Sequence, residues 1–182
     1  MLIKNKSISL QAYNEIILRS AQEYDAESLC NHRFITASES YYMSRYPEEC
    51  SFNIEKMKNR LIETNESEVD FLITAFLDGE VIGDLGVSRV RDQMKFCHRA
   101  YMGISIQKKY CNIGLGRIMV QYAIEQAKLN GFEQIELGVF DDNEAAIHLY
   151  EKLGFKKYGV QPRAFKLKDG TYRDEIIMVK ML

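Results

Sequence analysis

The chain has 182 residues, with 24 basic and 26 acidic side chains, a formal charge of −2, and a composition 46% hydrophobic and 27% charged. That length suits a single domain, residues 1–182, large enough to bury a core without disulfide or metal staples. The apolar content excludes intrinsic disorder, and the balanced charge excludes the broad basic footprint of a duplex nucleic-acid binder.

The first dozen residues read as an extra strand or a loose arm, and Glu15–Arg19, with Ile16, Ile17 and Leu18, as a short buried strand. An uneven helical pattern runs from Asp25 to about Ser44 and ends in the aromatic group Tyr41, Tyr42 and Tyr46 before Pro47. A clearer helix follows Asn53 as N-cap, with Ile54, Met57, Leu61 and Ile62 on one face. The acidic stretch Glu63–Asp70 reads as a solvated connection. Phe71–Leu77 and Val81–Val90 read as two strands joined at Asp78-Gly79, a pair that tolerates positive φ. The first of them is apolar nearly throughout, as a strand covered on both faces is. After the polar loop Arg91–Lys95 comes a strand over Ala100–Ile106. The longest periodic helix then spans Gly114 to Asn130, ended by Asn130-Gly131. Ile135–Phe140 is a strand, Glu144–Leu153 a short helix, and Phe155–Val160 and Glu175–Val179 are strands flanking a turn at Asp169-Gly170. The expected architecture is α/β (α+β): a mixed sheet with helices on both faces and a β-α-β-α-β run in the second half.

No apolar run approaches the roughly 20 residues of a membrane span, and the start Met1-Leu2-Ile3-Lys4-Asn5-Lys6 lacks the apolar region of a secretory signal. Cys30, Cys50, Cys97 and Cys111, with His32, His98 and His148, show no metal-ligand spacing. The expectation is a cytoplasmic protein with free thiols, no metal, and neither membrane nor nucleic acid as partner.

Chemistry concentrates in Ile104-Ser105-Ile106-Gln107-Lys108-Lys109-Tyr110-Cys111-Asn112-Ile113-Gly114-Leu115-Gly116-Arg117, where a strand ends and a helix begins at a G-x-G. Glycines admit close backbone approach, and the first helical N–H groups lack internal acceptors, so the turn suits a phosphate or pyrophosphate. The same glycines also serve tight helix-to-sheet packing. A Rossmann fingerprint is disfavoured because Met119 stands where the third glycine belongs, and a P-loop fails because Arg117-Ile118 follows Gly116.

A second segment, Asn143-Glu144-Ala145-Ala146-Ile147-His148-Leu149-Tyr150-Glu151-Lys152-Leu153-Gly154-Phe155, adds specificity. The pair of motifs resembles the GNAT superfamily of acetyl-CoA-dependent N-acetyltransferases, in particular its bacterial ribosomal-protein-type and small-amine members, over about Ala100 to Val160. The resemblance implies a central sheet splayed at the cofactor site and direct acetyl transfer from acetyl-CoA to a primary amine of a small molecule or a protein N-terminus. It places the acyl carbonyl and pantetheine on main-chain groups of Ile104, Ser105 and Ile106, and the pyrophosphate on the turn formed by Cys111, Asn112, Ile113, Gly114, Leu115, Gly116 and Arg117. The family usually has Gln or Arg where this chain has Cys111, which leaves Lys108, Lys109 and Arg117 to supply positive charge. Asn143 would hold a pantetheine amide or cap its helix. Tyr150 aligns with the family's general acid; from reference values, full proton donation to the leaving thiolate is uphill by roughly 2 kcal/mol, so a strengthening hydrogen bond describes it better. By spacing, Ala146, Leu149, Tyr150 and Leu153 also form a core face.

No glutamate stands at Met102, where many relatives carry the general base, and His98 and Glu136 are the side-chain candidates. Glu39, Tyr41 and Tyr42 are candidates for an anionic, aromatic wall around an ammonium. Cys111, at a helix N-terminus beside two lysines, is expected to have a lowered pKa. A homodimer fits the family, and a CoA-binding module without turnover is the alternative of a different class.

Overall fold

The computed structural model of the chain describes residues 1–10 and 13–182. Its strands are β1 (Lys6–Leu10), β2 (Tyr13–Arg19), β3 (Phe71–Leu77), β4 (Glu80–Arg89), β5 (Arg99–Ile106), β6 (Gln134–Phe140), β7 (Lys156–Lys166) and β8 (Tyr172–Met181). Its helices are α1 (Ala26–Glu39), α2 (Ile54–Glu66), α3 (Leu115–Leu129) and α4 (Glu144–Lys152). The strands form one mixed sheet in the order β1-β2-β3-β4-β5-β6-β8-β7. Only the β5–β6 pair among these is parallel. This is the α/β sheet expected from the sequence, and the N-terminal segment supplies an edge strand, although positions 11 and 12 of that stretch lie outside the described residues. No helix of the described residues is long and apolar enough to cross a membrane.

The alternation of β3 explains its nearly unbroken apolar run. Phe71, Ile73 and Ala75 join Met102, Met119 and Ala123 in one core, while Leu72 and Phe76 join Leu29, Met57 and Leu61 in another on the opposite face. The sheet is therefore sandwiched, with α1 and α2 on one face and α3 and α4 on the other. The Asn53 side chain accepts a hydrogen bond from the Lys56 N–H and starts α2. Asp78 (φ 50°) and Gly79 (φ 84°) make the β3–β4 turn, both in the left-handed region that a tight hairpin needs.

Two boundaries differ from expectation. The first helix ends at Glu39 rather than Ser44, because Ser40 is extended and its hydroxyl accepts from the Tyr42 N–H, turning the tyrosines out of the helix. The strand expected to stop at Val160 continues to Lys166, because an irregularity between Gln161 and Phe165 accommodates Pro162 on β7, an edge strand that needs no donor there.

The pairing that matters most for function is the shortest. β5 and β6 align only through Arg99–Gln134, Ala100–Ile135 and Tyr101–Glu136, after which they diverge. The closed end is held by Arg99, whose Nε and Nη2 donate to the two Glu136 carboxylate oxygens at 2.5 and 2.7 Å. Hydrogen bonds from Arg99 first, then Gln134 and Tyr158, hold the Glu136 carboxyl below the usual glutamate range against the opposing desolvation. Its contribution to stability is therefore complete above the unfolded value near ~4.3 and is lost as pH falls through the lower folded value. Arg99→Met should destabilise the protein by about 2 kcal/mol at pH 7. Denaturant titration should show the difference between variant and parent shrinking below about pH 4; a difference that grows with acid contradicts this role.

Candidate active site

Divergence leaves main-chain groups facing an open wedge. Gln107 N–H donates to Ile82 O and Val90 N–H donates to Arg99 O, which fixes the alternation along β5: Arg99, Tyr101, Gly103 and Ser105 pair with β4. Met102, Ile104 and Ile106 turn their N–H and C=O groups toward β6; the Tyr101–Glu136 register still engages the Met102 N–H, and beyond it no β6 residue meets the Met102 C=O, Ile104 or Ile106. Of the three β5 residues expected at the cofactor, Ile104 and Ile106 thus present main-chain groups, and Ser105 does not. Ser105 serves the other side: its hydroxyl lies 2.9 Å from His32 Nε2.

The turn after β5 carries the rest of the G-x-G segment. Lys108–Tyr110 forms a single 3-10 turn, Asn112 has φ 61°, and Gly114 (φ 93°) stands just before α3. The two glycines answer different demands. Gly114 adopts a left-handed conformation that L side chains rarely take. At Gly116 a Cβ would stand 3.3 Å from Ile106 Cδ1 and 3.4 Å from Leu149 Cδ2, so α3 packs closely on β5 and α4 there and a larger side chain would have to push those methyls aside. The first intrahelical bond is donated by Ile118 to Gly114 O, and no side chain caps α3. The N–H groups of Leu115, Gly116 and Arg117 therefore point outward without helical acceptors, beside exposed Lys108, Lys109 and Arg117.

Cys111 is corrected. Its sulfur lies 3.9 Å from Ile106 O and 3.7 Å from Gln107 O, and desolvation, with the nearby Glu39 carboxylate, raises its pKa. Desolvation and a carboxylate outweigh the two lysines, so the expected activated thiolate is not what this turn makes. Glu39 is also diverted: its carboxylate accepts the Lys108 N–H at 2.7 Å and braces the turn instead of lining an ammonium site.

Across the wedge, α4 begins at Asn143, whose side chain accepts from Ala146 N–H at 3.3 Å. The capping role is realised and leaves the amide NH2 for a ligand. Tyr150 is buried, edge-on to Phe155 with ring centroids 5.8 Å apart. Desolvation, and then Tyr101, pushes its pKa up to about 12. The core packing that spacing suggested for Tyr150 is realised.

The tyrosines after α1 reach this end of the sheet. Tyr41 Oη donates to Asp142 Oδ2 at 2.5 Å, Tyr42 Oη donates to Asp142 O at 3.2 Å, and Arg173 Nε donates to Asp142 Oδ2 at 2.8 Å. Their rings lie 6.0 and 5.6 Å from the Phe140 centroid, and Phe165 stacks on Phe140 at 3.8 Å. The aromatic wall exists, anchored by Asp142. Neither general-base candidate lies free beside it. Glu136 is committed to Arg99, and His98 precedes β5 at the closed end, where its carbonyl accepts from Glu133 N–H.

A buried polar chain under β4 and β5 was missed in the sequence. Thr74 Oγ1 donates to Asp84 Oδ1 at 2.9 Å, and burial raises the Asp84 pKa while lowering that of His32. A lone aspartate inside the apolar strand Glu80–Arg89, and a histidine on the buried face of α1, were the available signals. Among the described residues, no group of three or more His, Cys, Asp or Glu side chains converges to hold a metal.

A strand splayed from its parallel neighbour, with a glycine turn and a bare helix N-terminus beyond it, suits a ligand that carries both amides and a diphosphate. The acetyltransferase (GNAT) family model matches residues 27–155, and the chain belongs to that family of acetyl-CoA-dependent acyltransferases. It is similar to the L-amino acid N-acetyltransferase AaaT of Escherichia coli K12, 31% identical over 110 residues that cover 60% of this chain and 67% of that protein. It is also similar to the ribosomal protein bS18-alanine N-acetyltransferase of Escherichia coli K12, 35% identical over 75 residues that cover 41% of this chain and 50% of that protein. A GNAT-family acetyltransferase structure from Streptococcus pneumoniae superposes with a TM-score of 0.88 at 29% identity, covering 92% of this chain and 100% of that one.

The unpaired amides of the wedge and the α3 N-terminus fit the amide-bearing arm and diphosphate of acetyl-CoA. Overpacking costs typically ~1–3 kcal/mol. Calorimetry should accordingly show Gly116→Val weakening acetyl-CoA binding by about tenfold or more. Cys111→Ser, which keeps a donor for the Ile106 and Gln107 carbonyls, should stay within about twofold. A tight Gly116→Val complex contradicts the packing reading.

Proposed function

We propose that the protein transfers the acetyl group of acetyl-CoA directly to a primary amine, and that the acceptor presents an α-amine, as a free amino acid or a peptide N-terminus. The observation that carries this reading is the wedge between β5 and β6, with unpaired main-chain groups on one side and the Tyr150 phenol on α4 across from it. The two Escherichia coli relatives support the acceptor class: one is named for L-amino acids and the other for an alanine of a ribosomal protein.

In this reading the N–H groups of Leu115, Gly116 and Arg117 hold the diphosphate, with Lys108, Lys109 and Arg117 adding charge. The residues Cys111, Asn112, Ile113 and Gly114 shape that turn. Ile104 and Ile106 pair with the pantetheine arm as a neighbouring strand would, and the Asn143 amide adds a donor. Bound acetyl-CoA supplies an activated acyl thioester. The Ile104 N–H, fixed before reaction, is placed to stabilise negative charge on the acyl oxygen.

Tyr150 stays protonated at every working pH. With its pKa near 12, full transfer to a thiolate of ordinary pKa ~8.5 is uphill by roughly 5 kcal/mol, more than reference values suggest. The phenol therefore acts by a hydrogen bond that strengthens as the sulfur gains charge, and the same low-dielectric surroundings raise the thiol's own affinity for a proton.

Tyr150→Phe keeps the ring contact with Phe155 and removes the donor. Thiol-release kinetics with L-amino acids and an alanine-ended peptide should show kcat lowered by about 10²-fold or more, with acetyl-CoA affinity unchanged. Undiminished kcat contradicts the role of Tyr150. Acetyl-CoA binding without thiol release from any amine by the parent protein contradicts transfer and leaves a CoA-binding module.

A further inference from the structure

Among the carboxylates Glu39, Glu136, Asp142 and Glu175, three are committed. Glu136 is bound by Arg99, Gln134 and Tyr158; Asp142 by Tyr41 and Arg173; Glu39 by the Lys108 N–H. The fourth, Glu175 on β8, is half-buried, and its raised pKa has desolvation as its sole cause, with no hydrogen bond from any described residue to offset it. An unpaired, desolvated carboxylate is costly.

Its position is set by a missing side chain. Gly138 lies on β6 just beyond the last β5–β6 pair, and a Cβ built there would stand 1.8 Å from Glu175 Oε1 and 2.6 Å from its Cδ. The Glu175 side chain thus crosses β6 and fills the volume that a side chain at 138 would take. Register pairs Glu175 with Phe140, so both share the sheet face that carries the wall of Tyr41, Tyr42, Phe140 and Phe165. On the other side is Tyr101, whose hydroxyl accepts the Gly138 N–H at 3.2 Å and which neighbours both Glu175 and Tyr150. An anion with no protein partner, between aromatic rings and the open wedge, is a seat for an ammonium group.

We infer that Glu175 is the general base of the acetyl transfer, reading its role on the transferase function proposed above. The acceptor arrives as R–NH3⁺ and gives one proton to the Glu175 carboxylate. The freed nitrogen lone pair forms the C–N bond at the thioester carbonyl carbon, and the C–S bond breaks with its electron pair going to sulfur. The sulfur, steadied by the Tyr150 hydroxyl, takes up the second proton of the nitrogen, and Glu175 returns its proton to solvent. The balance is R–NH3⁺ plus acetyl-CoA giving R–NH–acetyl, CoA–SH and H⁺.

The acid limb of the pH profile then belongs to Glu175. The groups facing it are Tyr101 from β5, with Arg99 behind it; Glu136 from β6; Tyr158 from β7; and Arg173 on its own strand. Tyr150 of α4 stands behind Tyr101. The tyrosines have raised pKa values and stay neutral, while Glu136 and Asp142 are held low by their partners. Of the carboxyls in this group Glu175 alone is shifted up from its ordinary value, and loss of its charge halts proton removal.

Steady-state thiol release by the parent protein, Glu175→Gln and Glu175→Asp, with L-amino acids and an alanine-ended peptide over a range of pH, tests this. Glu175→Gln should lower kcat by about 10²–10⁴-fold, change the acceptor KM by less than about tenfold, and abolish the acid limb. Its acetyl-CoA affinity, measured by calorimetry, should match the parent's and so report an intact fold. Glu175→Asp should retain the limb with intermediate kcat. A Glu175→Gln protein with parental kcat and acid limb, or one altered only in KM, overturns the assignment while leaving the transferase reading in place. A parent protein that binds acetyl-CoA but acetylates no amine overturns both.

Discussion

Everything distinctive about this protein depends on how soon β5 and β6 part. A parallel pair kept in register would consume the inward main-chain groups of β5. Here pairing ends at Tyr101 and Glu136. β5 stays bound to β4 as far as Ile106, and β6 stays bound to β8 along its length. The wedge therefore opens without either strand losing its other neighbour. The Arg99–Glu136 pair fixes its apex, and the Tyr101 hydroxyl spans the first open rung to Gly138. Backbone donors left bare in a cleft are unfavourable until something pairs with them, and a ligand carrying its own amides meets that need.

The two sides of the sheet divide the work. On one face Gly116 lets α3 settle onto Ile106 and Leu149, bringing the bare helix terminus and the buried Tyr150 to the same end. On the other, Asp142 gathers Tyr41, Tyr42 and Arg173, while Glu175 occupies the space beside Gly138. The wedge connects them, and in the proposed reaction a thioester held from one side meets an amine entering from the other.

Much of this was legible in the sequence because it is local. Asn53 as a cap, Asp78-Gly79 as a hairpin turn, the doubly covered strand at Phe71–Leu77 and the glycine turn before α3 each depend on a few adjacent residues. Tyr150 was singled out by its motif, while spacing alone favoured a core residue, and its burial agrees with the spacing. What escaped depends on register across the sheet or on chain segments far apart: Ser105 turning to His32, Tyr41 reaching Asp142, Glu175 lying over Gly138. A strand's side-chain period tells which residues share a face, but not which neighbour meets them there. Cys111 was misjudged for a related reason. Its lysines are visible in the sequence, but the carbonyls of Ile106 and Gln107 that surround its sulfur are a product of the turn.

The central claim concerns individual amides, so residue-resolved amide hydrogen exchange with and without acetyl-CoA tests it most directly. Binding should slow exchange at Ile104 and Ile106 and at Leu115, Gly116 and Arg117, and leave Ser105, already paired with β4, unchanged. Saturation with acetyl-CoA that leaves those five amides exchanging as before, or that protects residues elsewhere instead, contradicts the account.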